Sequence, residues 1–256
     1  DWAAQRIKGL SLSKAVWASL GWRKNRGSAS GDGNVIKTLI NCFRYPRKGP
    51  GMLWEAAAAR IGALGGEVKM GRSAIGLHYD SSSGQRRWRV TVRCSGDDEE
   101  TYESAEVISS APLRELVTAI TPPMSEVARE AAARLRYRDF LTVALILRDR
   151  KIFDDNWIYI HDPSVKVGRV QNFKSWSPEL IPDPTLTCYG LEYFCFEGDG
   201  LWASDDASLV QLATEEIVKI GLAHPEDVIE GCVVRQPKAY PVYDDGYRDA
   251  VAIIRR

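Results

Sequence analysis

A mixed α+β fold, with an antiparallel or mixed sheet flanked by helices, is predicted by three stretches of the sequence. In residues 87–94, Trp88, Val90, Val92 and Cys94 alternate with Arg87, Arg89, Thr91 and Arg93, the period-two pattern of a strand with one wet face. Leu53, Ala57, Ile61 and Leu64 recur at helical spacing and predict a buried stripe, ended by Gly65 and Gly66 before a strand that starts near Glu67. Leu209, Leu212, Ala213, Ile217 and Ile220 mark a second long helix, placed after a run of strands that it would cover. With 256 residues, 45% of them hydrophobic, the chain can bury a sizeable core and build a second lobe.

In chain order, Leu12, Val16 and Leu20 share one face of a short helix. Residues 22–34 carry Arg23, Lys24 and Arg26 and then Gly, Ser and Asp with no apolar period, which predicts a mobile, solvated loop. Pro46, Gly49, Pro50 and Gly51 make a stiff turn into the helix that holds Leu53. Strands are predicted at residues 74–79, 88–94 and 104–109, with SSSG and SGDDEE as hairpin turns. A new lobe begins near Pro112, with helices in PLRELV and SEVAREAAARL. Strands at 140–147, 157–161, 168–173 and 185–196 predict an antiparallel sheet. After the helix at 207–221 comes a strand at 228–234, and a last helix starts at Asp244 or Gly246 and is still running at Arg256. That ending and the abrupt Asp1-Trp2 start suggest an interior fragment.

Composition narrows the function classes. Lys plus Arg and Asp plus Glu both number 34, so no global field favours nucleic acid or anionic lipid. No run approaches the ~18 apolar residues of a membrane span and the residues DWAAQRIKGL lack the order of a signal peptide, so a cytoplasmic setting is the default expectation. The five cysteines form no CxxC pair, and His78, His161 and His224 lie far apart, so neither a disulfide framework nor a metal site is expected.

No GxGxxG follows a strand, and no Walker-type loop or GxSxG elbow occurs. The acidic pairs Asp154-Asp155, Asp205-Asp206 and Asp244-Asp245 sit at turns or helix starts, where carboxylates cap backbone amides. A better constellation is Trp157, Tyr159, Arg169, Asn172 and Trp176, from two successive strands and the turn after them. Arg169 offers a bidentate donor for phosphate or carboxylate, Asn172 a directional amide, and the aromatic rings a stacking wall. The alternative is a sheet with Trp and Tyr in its core and Arg169 in an ordinary ion pair.

Four passages bear on that choice: FRYPRKGPGMLWEAAAARIGALGGEVKM with the following RSAIGLHY, then AEVISSAPLREL, GRVQNFKSWSP and KAYPVYDDGYRDAV. In this order the chain resembles the flavin-containing amine oxidase superfamily, in its protoporphyrinogen-oxidase-like and UDP-galactopyranose-mutase-like branch. The resemblance implies a substrate lobe joined to a flavin (FAD) domain built from discontinuous pieces. Residues 1–50 would be a helical part of the substrate lobe, 51–111 a partial FAD-domain segment, 112–240 the substrate-binding lobe, and 241–256 the start of a helix returning to the FAD domain. It further implies that Ala74 stands where a Val backbone usually lies near the adenine of FAD. Ser110 and Ala111 lie at the domain crossing, Arg169 faces a substrate diphosphate, and Tyr240 lines the same cavity. Trp176 departs from a tyrosine often seen at its position.

Two family elements are missing from the sequence: the amino-terminal Gly-rich fingerprint that holds the pyrophosphate and the carboxy-terminal segment that approaches the flavin ring. The expectation is therefore a substrate-binding portion of an FAD-dependent oxidoreductase, inactive alone and not retaining FAD, whose Arg169, Asn172, Trp157 and Tyr240 shape a pocket for a small, anionic or nucleotide-sugar substrate. The alternatives are a mutase-like isomerase that uses reduced flavin on a nucleotide sugar, and a non-enzymatic binding or assembly module on the same scaffold.

Overall fold

Strand pairing in the computed structural model, which describes residues 44–80, 87–196 and 198–256, sorts the chain into two sheets within the compact unit Pro46–Arg256. The expected helix at residues 12–20 and loop at 22–34 lie outside the described residues. The first sheet has the order β3-β2-β1-β4, made by β1 (Arg72–Asp80), β2 (Arg87–Cys94), β3 (Glu99–Ser104) and the two-residue β4 (Ile120–Thr121). The first three are antiparallel neighbours, while β4 joins β1 in parallel, so the sheet is mixed.

Cross-strand charge pairs favour the β2–β3 register: Arg93 opposite Glu99, and Arg87 and Arg89 both beside Glu103. They also correct the third predicted strand. Residues 99–104 carry the carboxylates that match the β2 arginines and form the strand, while residues 105–110 belong to none and Ile108 is fully exposed. The strand expected near Glu67 starts instead at Arg72, because Gly65 and Gly71, both at positive φ, turn the chain before it.

Helix α1 (Gly51–Ala63) forms where predicted, but its stripe is not buried. Leu53 is 62% exposed and Leu64 70%, and no residue of the helix is buried. Periodicity predicts which side of a helix is apolar; it does not supply the element that covers it.

Three helices build a second small core: α2 (Leu113–Ala119), α3 (Glu126–Ala133), whose N-cap Ser125 accepts from the Ala128 amide, and α7 (Tyr247–Ile254). Val117, Ala131, Leu135, Ala250 and Ile254 meet there. The final helix spans Tyr247–Ile254, and Arg255 after it keeps helical backbone angles.

The main core lies under the second sheet, whose order is β6-β7-β8-β5-β9 with every neighbour antiparallel. Its strands are β5 (Tyr137–Arg148), β6 (Trp157–Tyr159), β7 (Arg169–Asn172), β8 (Leu186–Cys195) and β9 (Val228–Pro241). Two one-turn helices, α4 (Phe173–Trp176) and α5 (Gly200–Ala203), follow β7 and β8. On β5, buried Leu141, Val143, Leu145 and Leu147 alternate with half-exposed Phe140, Thr142, Ala144 and Ile146. The odd-numbered set packs with Leu209, Ala213 and Ile217 of α6 (Asp206–Lys219). Asp205 caps that helix through the Ser208 amide, at 2.9 Å, the capping role expected for this acidic pair.

Strand β9 runs past the predicted end at 234 through Arg235-Gln-Pro-Lys to Pro241. Pro237 has no N–H to give the ladder, and the register shifts opposite Arg138 and Phe140. Lys238, at φ 53°, spans the irregularity, its N–H held by the buried Asp139 carboxylate at 2.7 Å.

Candidate functional site

One face of the five-stranded sheet is closed by α6; the other is half-exposed and collects most of the predicted residues. Arg169 and Gln171 stand two apart on β7 and project to this open face, as do Trp157 and Tyr159 on edge strand β6, opposite Gln171 and Arg169 respectively. On β8, Glu192 pairs in register with Arg169, and on β5 Thr142 pairs with Glu192.

The Glu192 side chain is 2% exposed and is held from two sides, by the Nε of Arg169 and by the amide of Gln171. Arg169 Nη1 also donates to the Tyr159 hydroxyl at 3.4 Å, with its guanidinium 5.7 Å from that ring. Burial lowers the Arg169 pKa, but the hydrogen bond to Glu192 and that carboxylate's charge outweigh it and the net shift is upward. The guanidinium is thus permanently charged and already neutralised.

The aromatic rings flank this polar centre. Trp157 lies almost parallel to Trp176, with centroids 5.1 Å apart and 12° between planes. Phe140 meets both Phe194, at 6.1 Å, and Tyr240, edge-on at 6.3 Å, which brings Tyr240 to the same face. The ring of Phe173 lies over Gly190, where a Cβ would come within 2.9 Å of it, so that position requires glycine or a shifted ring. Cys188, on the same face, has its thiol pKa pushed up to about 11 by burial and is no thiolate nucleophile at neutral pH.

Asn172 is separated from this group. It stands three residues after Arg169, an odd step on a strand, and faces the core, 5% exposed. Its amide nitrogen donates to the Phe153 carbonyl at 3.0 Å, and its oxygen accepts from the Ser175 amide and the Thr187 hydroxyl. Asn172 is the N-cap of α4, with its hydrogen-bonding groups engaged inside the fold. Ala74 and Ser110 are both exposed and belong to the other part of the unit, Ala74 on β1 beside a register shift and Ser110 in the irregular segment before α2. The open face therefore makes Arg169 and Trp157 neighbours, adds Gln171, Glu192 and Phe194 beside them, and carries Tyr240 at the opposite edge of the sheet, against Phe140. Glu192 had a readable signal: a carboxylate inside the otherwise apolar run of β8 needs a buried partner.

Could the described residues hold FAD? A dinucleotide pyrophosphate needs free amides at a helix start. In α1 the Met52 and Leu53 amides are taken by the carbonyls of Gly49 and Pro50, while α3, α6 and α7 carry Glu126, Asp206 and Asp249 in their first turns. The described residues do not fit the pyrophosphate. Nor does any cluster of His, Cys, Asp and Glu among them suit a metal ion. A cleft of about 170 Å³ beside Leu113, Tyr137 and Tyr247 is small for a ligand site, for which roughly 300 Å³ is a lower bound. No described helix is long and apolar enough to cross a membrane.

No family model matches the sequence, and no curated protein does. Solved structures do match in fold. The crystal structure of reduced UDP-galactopyranose mutase superposes with a TM-score of 0.63 at 16% identity, over 82% of this chain and 43% of that one. A protein from Exiguobacterium sp. assigned as a protoporphyrinogen oxidase matches with a TM-score of 0.56 at 17% identity, over 78% of this chain and 42% of its own. A Pyrococcus furiosus protein matches at 0.54 and 14% identity, over 73% and 43%. The chain spans about two fifths of the length of the structures it matches.

Proposed function

We propose that this chain, which has the fold of part of the mutase and oxidase structures above, is the substrate-binding portion of an FAD-dependent oxidoreductase. In this reading FAD is bound by further parts of a longer parent protein, and the portion described here is inactive by itself. The observation that carries it is the open sheet face, where Arg169 and Trp157 are neighbours and Tyr240 stands at the far edge of the same face, with no nucleophile or accessible acid–base pair of their own. Such a face binds and orients; bound flavin would supply the hydride chemistry. Ala74 and Ser110 are assigned to the cofactor side of the reading and Arg169, Trp157 and Tyr240 to the substrate side. Asn172 acts from behind, by fixing the turn that carries Trp176. Cys94, Cys188, Cys195 and Cys232 are free thiols, which suits a reducing cytoplasmic setting.

The test is the absorbance spectrum of the full-length protein. Flavin bands that co-purify with it are expected, and a full-length protein that purifies without flavin overturns the reading, leaving the non-enzymatic module. A second reading, a mutase-like isomerase acting on a nucleotide sugar, is favoured by the fold match to the mutase. On that reading UDP raises the thermal midpoint and Arg169→Ala abolishes the rise.

A further inference from the structure

We propose that Arg138, near the start of β5, is the anion contact of the open sheet face, for a ligand that joins one carboxylate to an apolar body lying on Phe140, Phe194 and Tyr240. The inference rests on the reading that this face receives the substrate, and it names the substrate class.

Arg138 precedes Phe140 by two residues on β5 and therefore projects to the same open face. Tyr240 is its register partner on β9, and its guanidinium lies over the ring of Phe196, 5.0 Å from the centroid. Phe140 in turn meets Phe194 at 6.1 Å and Tyr240 at 6.3 Å, so the cation stands at the rim of a continuous aromatic patch. Phe194 is 46% exposed and Tyr240 51%, which leaves apolar surface beside the charge for a ligand to cover.

Charge balance sets Arg138 apart. Among the described residues no carboxylate pairs with it and none accepts a hydrogen bond from it. The other cations near this face are engaged: Arg169 with the buried Glu192, Lys174 with Asp149, Lys238 with Glu115, and Arg148, at the far end of β5, with the Glu226 carbonyl. The adjacent Asp139 faces the core, where it holds the Lys238 N–H, and Asp199 holds the N–H of Phe196. A neutral ring supports the Arg138 guanidinium without cancelling its charge, and the planar fork matches the two oxygens of a carboxylate. One unpaired guanidinium balances one negative charge. A monocarboxylate therefore suits this position better than a phosphate monoester or a diphosphate, whose further charge would find the neighbouring cations taken.

Ligand-observed NMR titration of the chain tests this with biphenyl-4-carboxylate, its uncharged counterpart biphenyl-4-carboxamide, and UDP. The carboxylate is expected to bind at least tenfold more tightly than either of the others. Arg138→Met, which keeps the length of the side chain and removes the charge, should bring carboxylate and amide within threefold of each other. Arg138→Lys, which keeps the charge without the fork, should fall between. Should Arg138→Met fail to fold, the unmodified chain decides: carboxylate affinity should drop threefold or more between about 0.01 and about 0.3 M salt, as charge screening requires, while amide affinity holds. Equal affinity for the two biphenyl probes, a preference that survives in Arg138→Met, tighter binding of UDP, or no binding of either biphenyl probe overturns the proposal. The titration needs no flavin. A flavin-free parent protein would defeat the functional reading and leave this one standing, and a flavin-bearing parent whose chain fails the titration would do the reverse.

Discussion

Arg169 and Asn172 stand on one four-residue strand and serve opposite sides of the sheet. Arg169 lies on the open face against Glu192, whereas Asn172 turns inward and holds the Phe153 carbonyl, the Ser175 amide and the Thr187 hydroxyl. Replacing Asn172 with Ala removes the partner of the buried Thr187 hydroxyl and of two part-buried backbone groups. Each buried polar group left unsatisfied costs ~1–3 kcal/mol, and neighbouring losses do not simply add. Urea unfolding of Asn172→Ala should therefore show a loss of at least ~1 kcal/mol, with affinity for a ligand of the open face nearly unchanged. A large loss of ligand affinity with intact stability would return Asn172 to the binding surface. The distinction is readable in the sequence: residues an odd number apart on a strand do not share a face. What the residue types alone left undecided was the partner of Arg169, because Glu192 is distant in sequence and becomes its neighbour only through the β7–β8 register.

At the scale of elements, the packing of α6 on the sheet is the tightest constraint. Gly231 on β9 faces α6, and a Cβ there would meet Val210 Cγ1 at 2.7 Å and Leu145 Cδ2 at 3.0 Å. Both neighbours belong to or pack on the main core. Gly231→Ala should lower stability by about 1–3 kcal/mol through overpacking, seen as a fall in Tm with far-UV circular dichroism retained below the transition. An unchanged or raised Tm would show that the helix can shift away from β9 at no cost. The strands that build this layer were visible as the apolar run at 140–147 and as an aromatic run on β8, and α6 as a period-3.6 stripe with its cap. The extension of β9 past Val234 was not visible, since Pro237 reads locally as a strand end. It continues because Asp139 on β5 takes up the Lys238 N–H and lets the ladder resume at Tyr240.

Across the whole molecule, burial is distributed unevenly. The main core holds fully buried Leu141, Leu145, Leu191 and Ile217, while α1 exposes Leu53, Trp54 and Ile61 and the chain just beyond it exposes Leu64 and Met70. Leu141→Ala should therefore cost ~2–5 kcal/mol, and Leu53→Ala within about 0.5 kcal/mol of nothing, when both are measured by denaturant unfolding of this chain. A comparable cost at Leu53 would mean that α1 is covered in solution. By itself the sequence determined the α+β class, the strands that became β5 and β8, and the helix starts at Ser125 and at the Asp205-Asp206 pair. These are local properties, governed by backbone period and by side chains that reach their own neighbours. Only the tertiary structure decided that the α1 stripe stays open, that β3 ends at Ser104, and that Arg169 is neutralised by Glu192. Those outcomes depend on which distant segment arrives opposite, and a periodic pattern specifies a surface without specifying its partner.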